Sequence, residues 1–253
     1  MMCQGHDERA RCSISVRRGL KTCTAQLAKA LGSDLTGAYL YGSLARGCFN
    51  PKTSDVDVLV VTREPCSDQL VTAIRDLHSA APFPLDLLSV TREQIALNVT
   101  PTPFDFAVMA AAPHRLVRGT EGKGDLLLIR QGVYDCDLTL AGEPTRNVIA
   151  PVPWPLLARS LEFLLPHILP RFKNPALMLC RVVYAFANRT LCSKQAAGEW
   201  ALDALEPMWR PLIRASLDKY GAGVADDQGP NEELRAFEKY CAQHIARHEG
   251  YSQ

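Results

Sequence analysis

Gly42 and Ser43 sit in "LYGSLARG", and Asp55 and Asp57 follow in "SDVDVLVV". In a strand, residues two apart project to the same side, so the two aspartates point together while Val56 and Val58 face a core. Two like charges held close repel, which makes sense if a cation sits between them. A pair of carboxylates is a hard-oxygen site suited to Mg²⁺, which keeps several waters and shares oxygens with phosphates. Glycine lets a phosphate approach the backbone, and a short helix starting at Ser43 would aim N–H groups at an anion. Arg46 adds a positive charge beside it. Asp86, inside "FPLDLLSVT", supplies a third carboxylate that either ligates the metal or takes a proton from an attacking hydroxyl. An anion cradle, a metal-binding pair and a base are what metal-assisted nucleotidyl transfer needs. Taken singly, D-x-D is usually a solvated edge and G-S only a turn; the ordered combination is far more specific.

The elements that must position these groups can be read from periodicity. Ser13 to Leu31 reads as a helix, with Leu20, Leu27 and Leu31 at helical spacing and Gly32 able to end it. "GAYLYGS" is a strand ending in a turn, "DVDVLVV" a second strand, and "FPLDLLSVT" a third. Between the last two, Ser67 caps a helix whose stripe is Leu70, Val71, Ile74 and Leu77. The order implies an α+β module with a small mixed sheet. "TLAGE" reads either as a last strand or as a helix-to-loop exit. Four prolines in the thirteen residues from Glu143 to Pro155 mark a boundary. The domains expected are therefore 1–149, carrying the acids, and an all-α bundle of five helices over 150–253.

A net charge of +1 offers no overall basic bias for nucleic acid. The nine cysteines are scattered and contain no C-x-x-C, which argues against a zinc cluster and for reduced thiols. The N-terminus has no apolar core of a secretory signal, and no stretch is long enough to span a bilayer. A cytoplasmic monomer without a membrane or nucleic-acid partner is expected. Asp135 and Asp137 repeat the D-x-D spacing without a preceding G-S and read as loop acids. His244 and His248 lie four apart on the last helix and read as surface residues.

The G-S, D-x-D and third-acid set resembles the nucleotidyltransferase superfamily shared with polymerase-beta-like enzymes. The whole chain is similar to the aminoglycoside 3''/9 adenylyltransferases. The resemblance rests on "LYGS", "SDVDVLV", "CRVVYAFANRTLCSKQAAGEWALDALEP" and "ASLDKYGAG". It implies a polymerase-beta-like domain followed by a helical domain. It also implies ATP as co-substrate, Mg²⁺ at Asp55, Asp57 and Asp86, Asp86 as base, and Gly42, Ser43 and Arg46 at the phosphates. Arg181, Lys194 and Tyr220 fall where the family's helical domain contacts ATP, so the site is expected at the domain junction. The activity implied is transfer of AMP to a hydroxyl of an aminocyclitol or aminoglycoside antibiotic, as in antibiotic resistance. Streptomycin-accepting members place an acid and a histidine where this chain has Arg171, Lys173 and Asn174. Basic groups repel guanidinium, so spectinomycin is expected over streptomycin. Glu162, Glu199, Asp105 and Asp203 are the acidic candidates for the acceptor. Two alternatives use the same motif: transfer to a protein or RNA acceptor, and a nucleotide-binding regulatory module. ATP turnover with and without drug separates them.

Overall fold

The computed structural model describes residues 14–119, 126–224 and 231–249; the first thirteen residues, including Ser13 of the expected first helix, lie outside them. The chain divides into two compact units, 1–156 and 157–253.

The first unit runs α1 (Ile14–Leu31), β1 (Leu35–Tyr41), α2 (Gly42–Ala45), β2 (Val56–Thr62), α3 (Asp68–Ser79), β3 (Leu85–Thr91), α4 (Arg92–Ala96), β4 (Phe104–Met109), β5 (Ala112–Gly119), α5 (Leu126–Cys136), β6 (Leu138–Gly142) and α6 (Thr145–Val148). The six strands form one mixed sheet in the order β5-β4-β3-β2-β1-β6. Among the described strands, only β2 and β3 run parallel, as a strand–helix–strand unit through α3. The Ser67 side chain caps α3 by accepting from the Leu70 N–H at 3.3 Å. Thr91 and Gln94 form a reciprocal capping box on α4. The segment "TLAGE" resolves as edge strand β6, entered from α5 through Asp137 at φ +51°.

Alternation along the strands separates two apolar layers. Leu40, Val56, Val58, Val60 and Leu87 pack with Leu27, Leu31, Val71 and Ile74 of α1 and α3. Tyr39, Leu59, Val61, Leu88 and Val90 pack with Leu126 and Val133 of α5. Arg130, on α5, is only 4% exposed. Its guanidinium donates to the carbonyls of Ile95, Leu97, Ala150 and Pro151 and to Asn98 Oδ1, at 3.0–3.2 Å. One side chain thus ties the end of α4 to the chain that follows α6.

Among the described residues the second unit has helices and no strand: α7 (Trp154–Leu164), which begins in the first unit, α8 (Ile168–Arg171), α9 (Pro175–Asn188), α10 (Lys194–Ala204), α11 (Arg210–Ala222) and α12 (Glu232–Glu249). The stretch "WPLLARSLEFLLPHIL" breaks into α7 and α8 around a 3₁₀ turn at Leu165–His167; Pro166 has no N–H to continue the ladder. The core helix is α9, with ten of its residues buried. No described helix is long and apolar enough to cross a membrane.

Candidate active site

The turn after β1 is held by its own backbone. Arg46 N–H donates to Gly42 O at 3.2 Å and Cys48 N–H to Ser43 O at 3.0 Å. Gly42 has φ +72°, a region in which a side chain is strained. A Cβ there would lie 2.6 Å from Asp57 Cγ and collide with its Oδ2. The glycine is therefore required twice, by the backbone and by the carboxylate above it.

Further along, Asn50 and Ser54 close a second turn: Ser54 N–H donates to Asn50 O at 2.8 Å and Asn50 N–H to Ser54 Oγ at 3.0 Å. This turn delivers Asp55 immediately before β2. Asp55 and Asp57 are half-buried and flanked by buried Val56 and Val58, the alternation expected of two acids sharing one side. Asp57 pairs with Tyr41 across β1 and with Asp86 across parallel β3. Neighbouring strands lie about 4.8 Å apart. Two like charges on adjacent strands repel, a cost that a cation would relieve. Asp86 is oriented by the backbone: its Oδ1 accepts from the Ala110 N–H, in the β4–β5 turn, at 2.7 Å.

The donor chemistry of two carboxylates fits Mg²⁺. Asp55 and Asp57 offer hard oxygens; no group of three or more His, Cys, Asp or Glu side chains that could hold a metal by protein ligands alone occurs among the described residues. A cation bound by two carboxylates, water and phosphate is the usual Mg²⁺ arrangement.

Arg46 stays beside the turn, its side chain 15% exposed, with Asp135 Oδ2 at 3.7 Å. Asp135 is not a loop acid: it lies on α5, one turn after Gln131, which donates to its Oδ1 at 2.7 Å. Burial pushes the Asp135 carboxyl above the usual carboxylate range, against the pull of Gln131, Arg46 and Arg146. The apolar spacing Leu126, Leu127, Ile129 and Val133 was the available signal for this helix. Asp137 leaves the helix and pairs with Arg146 at 3.0 Å.

In the helical unit, Arg181 on α9 donates through Nε to Cys192 O at 2.9 Å. Two residues on, Lys194 opens α10 behind its cap Ser193 and holds its Nζ 5.9 Å from the Tyr220 ring centroid. Lys194 and Tyr220 are thereby brought together, and Arg181 holds the segment that leads into Lys194.

Among the acceptor candidates, Asp105 is corrected: it is 6% exposed, accepts from the Cys66 N–H at 2.7 Å and faces Arg118 at 3.7 Å. It pins the segment before α3 to β4. Glu162, Glu199 and Asp203 are exposed, and Glu199 accepts from Gln195. Arg171 and Lys173 are exposed, while Asn174 is buried at the start of α9. His244 packs beside Tyr240 with ring centroids 5.8 Å apart; the His248 side chain lies outside the described residues.

Residues 23–111 match the nucleotidyltransferase domain family, and residues 148–244 match the aminoglycoside adenylyltransferase C-terminal domain family. Among curated proteins, the chain is 21% identical to a spectinomycin 9-adenylyltransferase of Campylobacter jejuni, over 85% of this chain and 90% of that one. It is 24% identical to an aminoglycoside (3'') (9) adenylyltransferase of Escherichia coli, over 86% and 90%. Among solved structures, the spectinomycin adenyltransferase of Enterococcus faecialis, crystallised with ATP and spectinomycin, superposes with a TM-score of 0.75 at 17% identity. That match covers 91% of this chain and 99% of the other.

Proposed function

The chain belongs to the aminoglycoside adenylyltransferase family, and on that premise we propose that it transfers AMP from ATP to a hydroxyl of spectinomycin. The acceptor oxygen bonds to the α-phosphorus, the bond from that phosphorus to the bridging oxygen breaks, and pyrophosphate leaves. The hydroxyl proton passes to Asp86, whose carboxylate the Ala110 N–H already orients. Asp55 and Asp57 would hold Mg²⁺, which would supply charge neutralisation and orientation for the triphosphate. The Gly42–Ser43 turn and Arg46 receive the phosphates, and Asp135 fixes Arg46 in place. The helical unit is assigned the remaining contacts to ATP, through Arg181, Lys194 and Tyr220. The enzyme is taken to act as a monomer in the cytoplasm, where ATP is plentiful.

The observation that carries this reading is the side-by-side placement of Asp57 and Asp86 on parallel strands with Gly42 directly under Asp57. Spectinomycin is favoured over streptomycin because the family resemblance puts Arg171, Lys173 and Asn174 where it implies an acid and a histidine in streptomycin-accepting members. A misplaced unit charge at about 4 Å costs about 4 kcal/mol at an effective dielectric of 20, enough to remove binding at micromolar drug. Steady-state kinetics on the two drugs test the choice. Spectinomycin is expected to give at least tenfold higher kcat/KM, and efficient streptomycin turnover would overturn the preference.

A further inference from the structure

A cavity of about 490 Å³ opens between α1 and edge strand β6, with its floor on β1. It is separate from the acids. Leu40, in its floor, packs in the layer facing α1, whereas Leu59 and Leu88, next on the strand face that carries Asp57 and Asp86, pack in the opposite layer with α5. The size lies within the range of small-molecule sites, about 300–1,000 Å³. Leu20, Leu44, Phe49, Leu138 and Leu140 make the walls. Four of these are leucines left only partly buried against the core, so the apolar surface is real and reachable.

Among the described lining residues the charged groups are all basic, and Thr24 and Thr139 are neutral. Arg17 and Lys21 lie one helical turn apart on α1, both exposed, and both line the cavity. Residues spaced by four share a helix face, so their charges sit together at its rim. None of the described lining residues is acidic. Apolar walls reward an apolar body, and paired cations reward an anionic head while their stems lie along the wall. A cationic or strongly polar guest would lose on both counts.

We propose that this cavity binds a free, single-chain amphiphilic carboxylate, with the chain between α1 and β6 and the head group at Arg17 and Lys21. The assignment does not depend on the transferase reading, and its test needs no catalysis.

Calorimetric titration of decanoate into the full chain is the test. Saturable one-site binding is expected. It should weaken at least tenfold in the Arg17→Glu/Lys21→Glu double variant and vanish in Ala28→Trp, which fills the cavity from α1. Decyltrimethylammonium, with the same chain length and opposite charge, should not bind. Circular dichroism melts report whether each variant is folded. If Ala28→Trp does not fold, the double variant decides, because both of its positions are exposed. Absence of saturable decanoate binding, equal affinity in the charge-reversed protein, or equal binding of the cationic amphiphile would each overturn the assignment.

Discussion

Gly42→Ala should separate the fold from the chemistry. The backbone at φ +72° charges any residue with a Cβ about 1–2 kcal/mol. The smaller unfolded-state gain from replacing glycine does not offset this where φ is positive. The new Cβ would also sit 2.6 Å from Asp57 Cγ, well inside contact distance. The turn or the carboxylate must move, and a shift of about 1 Å at a reacting constellation costs about a hundredfold in rate. Gly32→Ala is the matched control: its φ is +54° and a Cβ there meets nothing within 4 Å. Gly32→Ala should lose about 1–2 kcal/mol by urea denaturation, and Gly42→Ala at least as much. Only Gly42→Ala should lose activity, by about a hundredfold or more in pyrophosphate release at saturating Mg·ATP and drug. Activity of Gly42→Ala within about threefold of wild type, a change of under 1 kcal/mol, would refute the claim that the turn positions Asp57.

Asp55→Asn and Asp57→Asn should each abolish transfer while the fold is kept or slightly steadied, because one of two repelling charges is removed; near-normal turnover in either ends the metal assignment. Asp86→Asn should still bind Mg·ATP by calorimetry but slow transfer by about 10²–10⁴, and lost nucleotide binding would make it a metal ligand first. Arg130→Met should cost about 1–3 kcal/mol in urea denaturation, since it strands the buried Ile95 carbonyl and takes the donor from three part-buried carbonyls; a loss under about 0.5 kcal/mol would show that water replaces the guanidinium. The Asp135 carboxyl is raised, so the folded protein holds its proton more tightly than the unfolded chain. Wild type therefore loses stability as pH rises from about 4 through that raised value. The melting temperature of Asp135→Asn should climb relative to wild type over that rise, and a flat or falling difference contradicts the burial argument.

The edge that carries the acids was legible because it is written in local patterns. Asp55, Asp57 and Asp86 alternate with valines and leucines whose burial follows the strand period, and Ser67 announces α3. The β4–β5 hairpin was not read. "FDFAVM" carries buried Asp105 in mid-strand, and its partner "APHRLVRG" is polar and lies at the sheet edge, so neither shows clean alternation. Asp135 was misplaced for a related reason: its short helix passes into β6 through one residue at positive φ, with no glycine or proline to mark the change. The link between Asp86 and Ala110 depends on a hairpin closing back onto β3, which no residue spacing reveals. In the helical unit, single-helix periodicity shows the helices but not that Arg181 reaches Cys192 O.

The central claim is AMP transfer to a drug hydroxyl, and the product itself tests it most directly. Purified protein incubated with Mg·ATP and spectinomycin should yield spectinomycin carrying one AMP, detected by mass spectrometry, with one pyrophosphate released per adduct and none formed by Asp57→Asn. Absence of the adduct from protein that binds Mg·ATP, or pyrophosphate release indifferent to the drug, would contradict it.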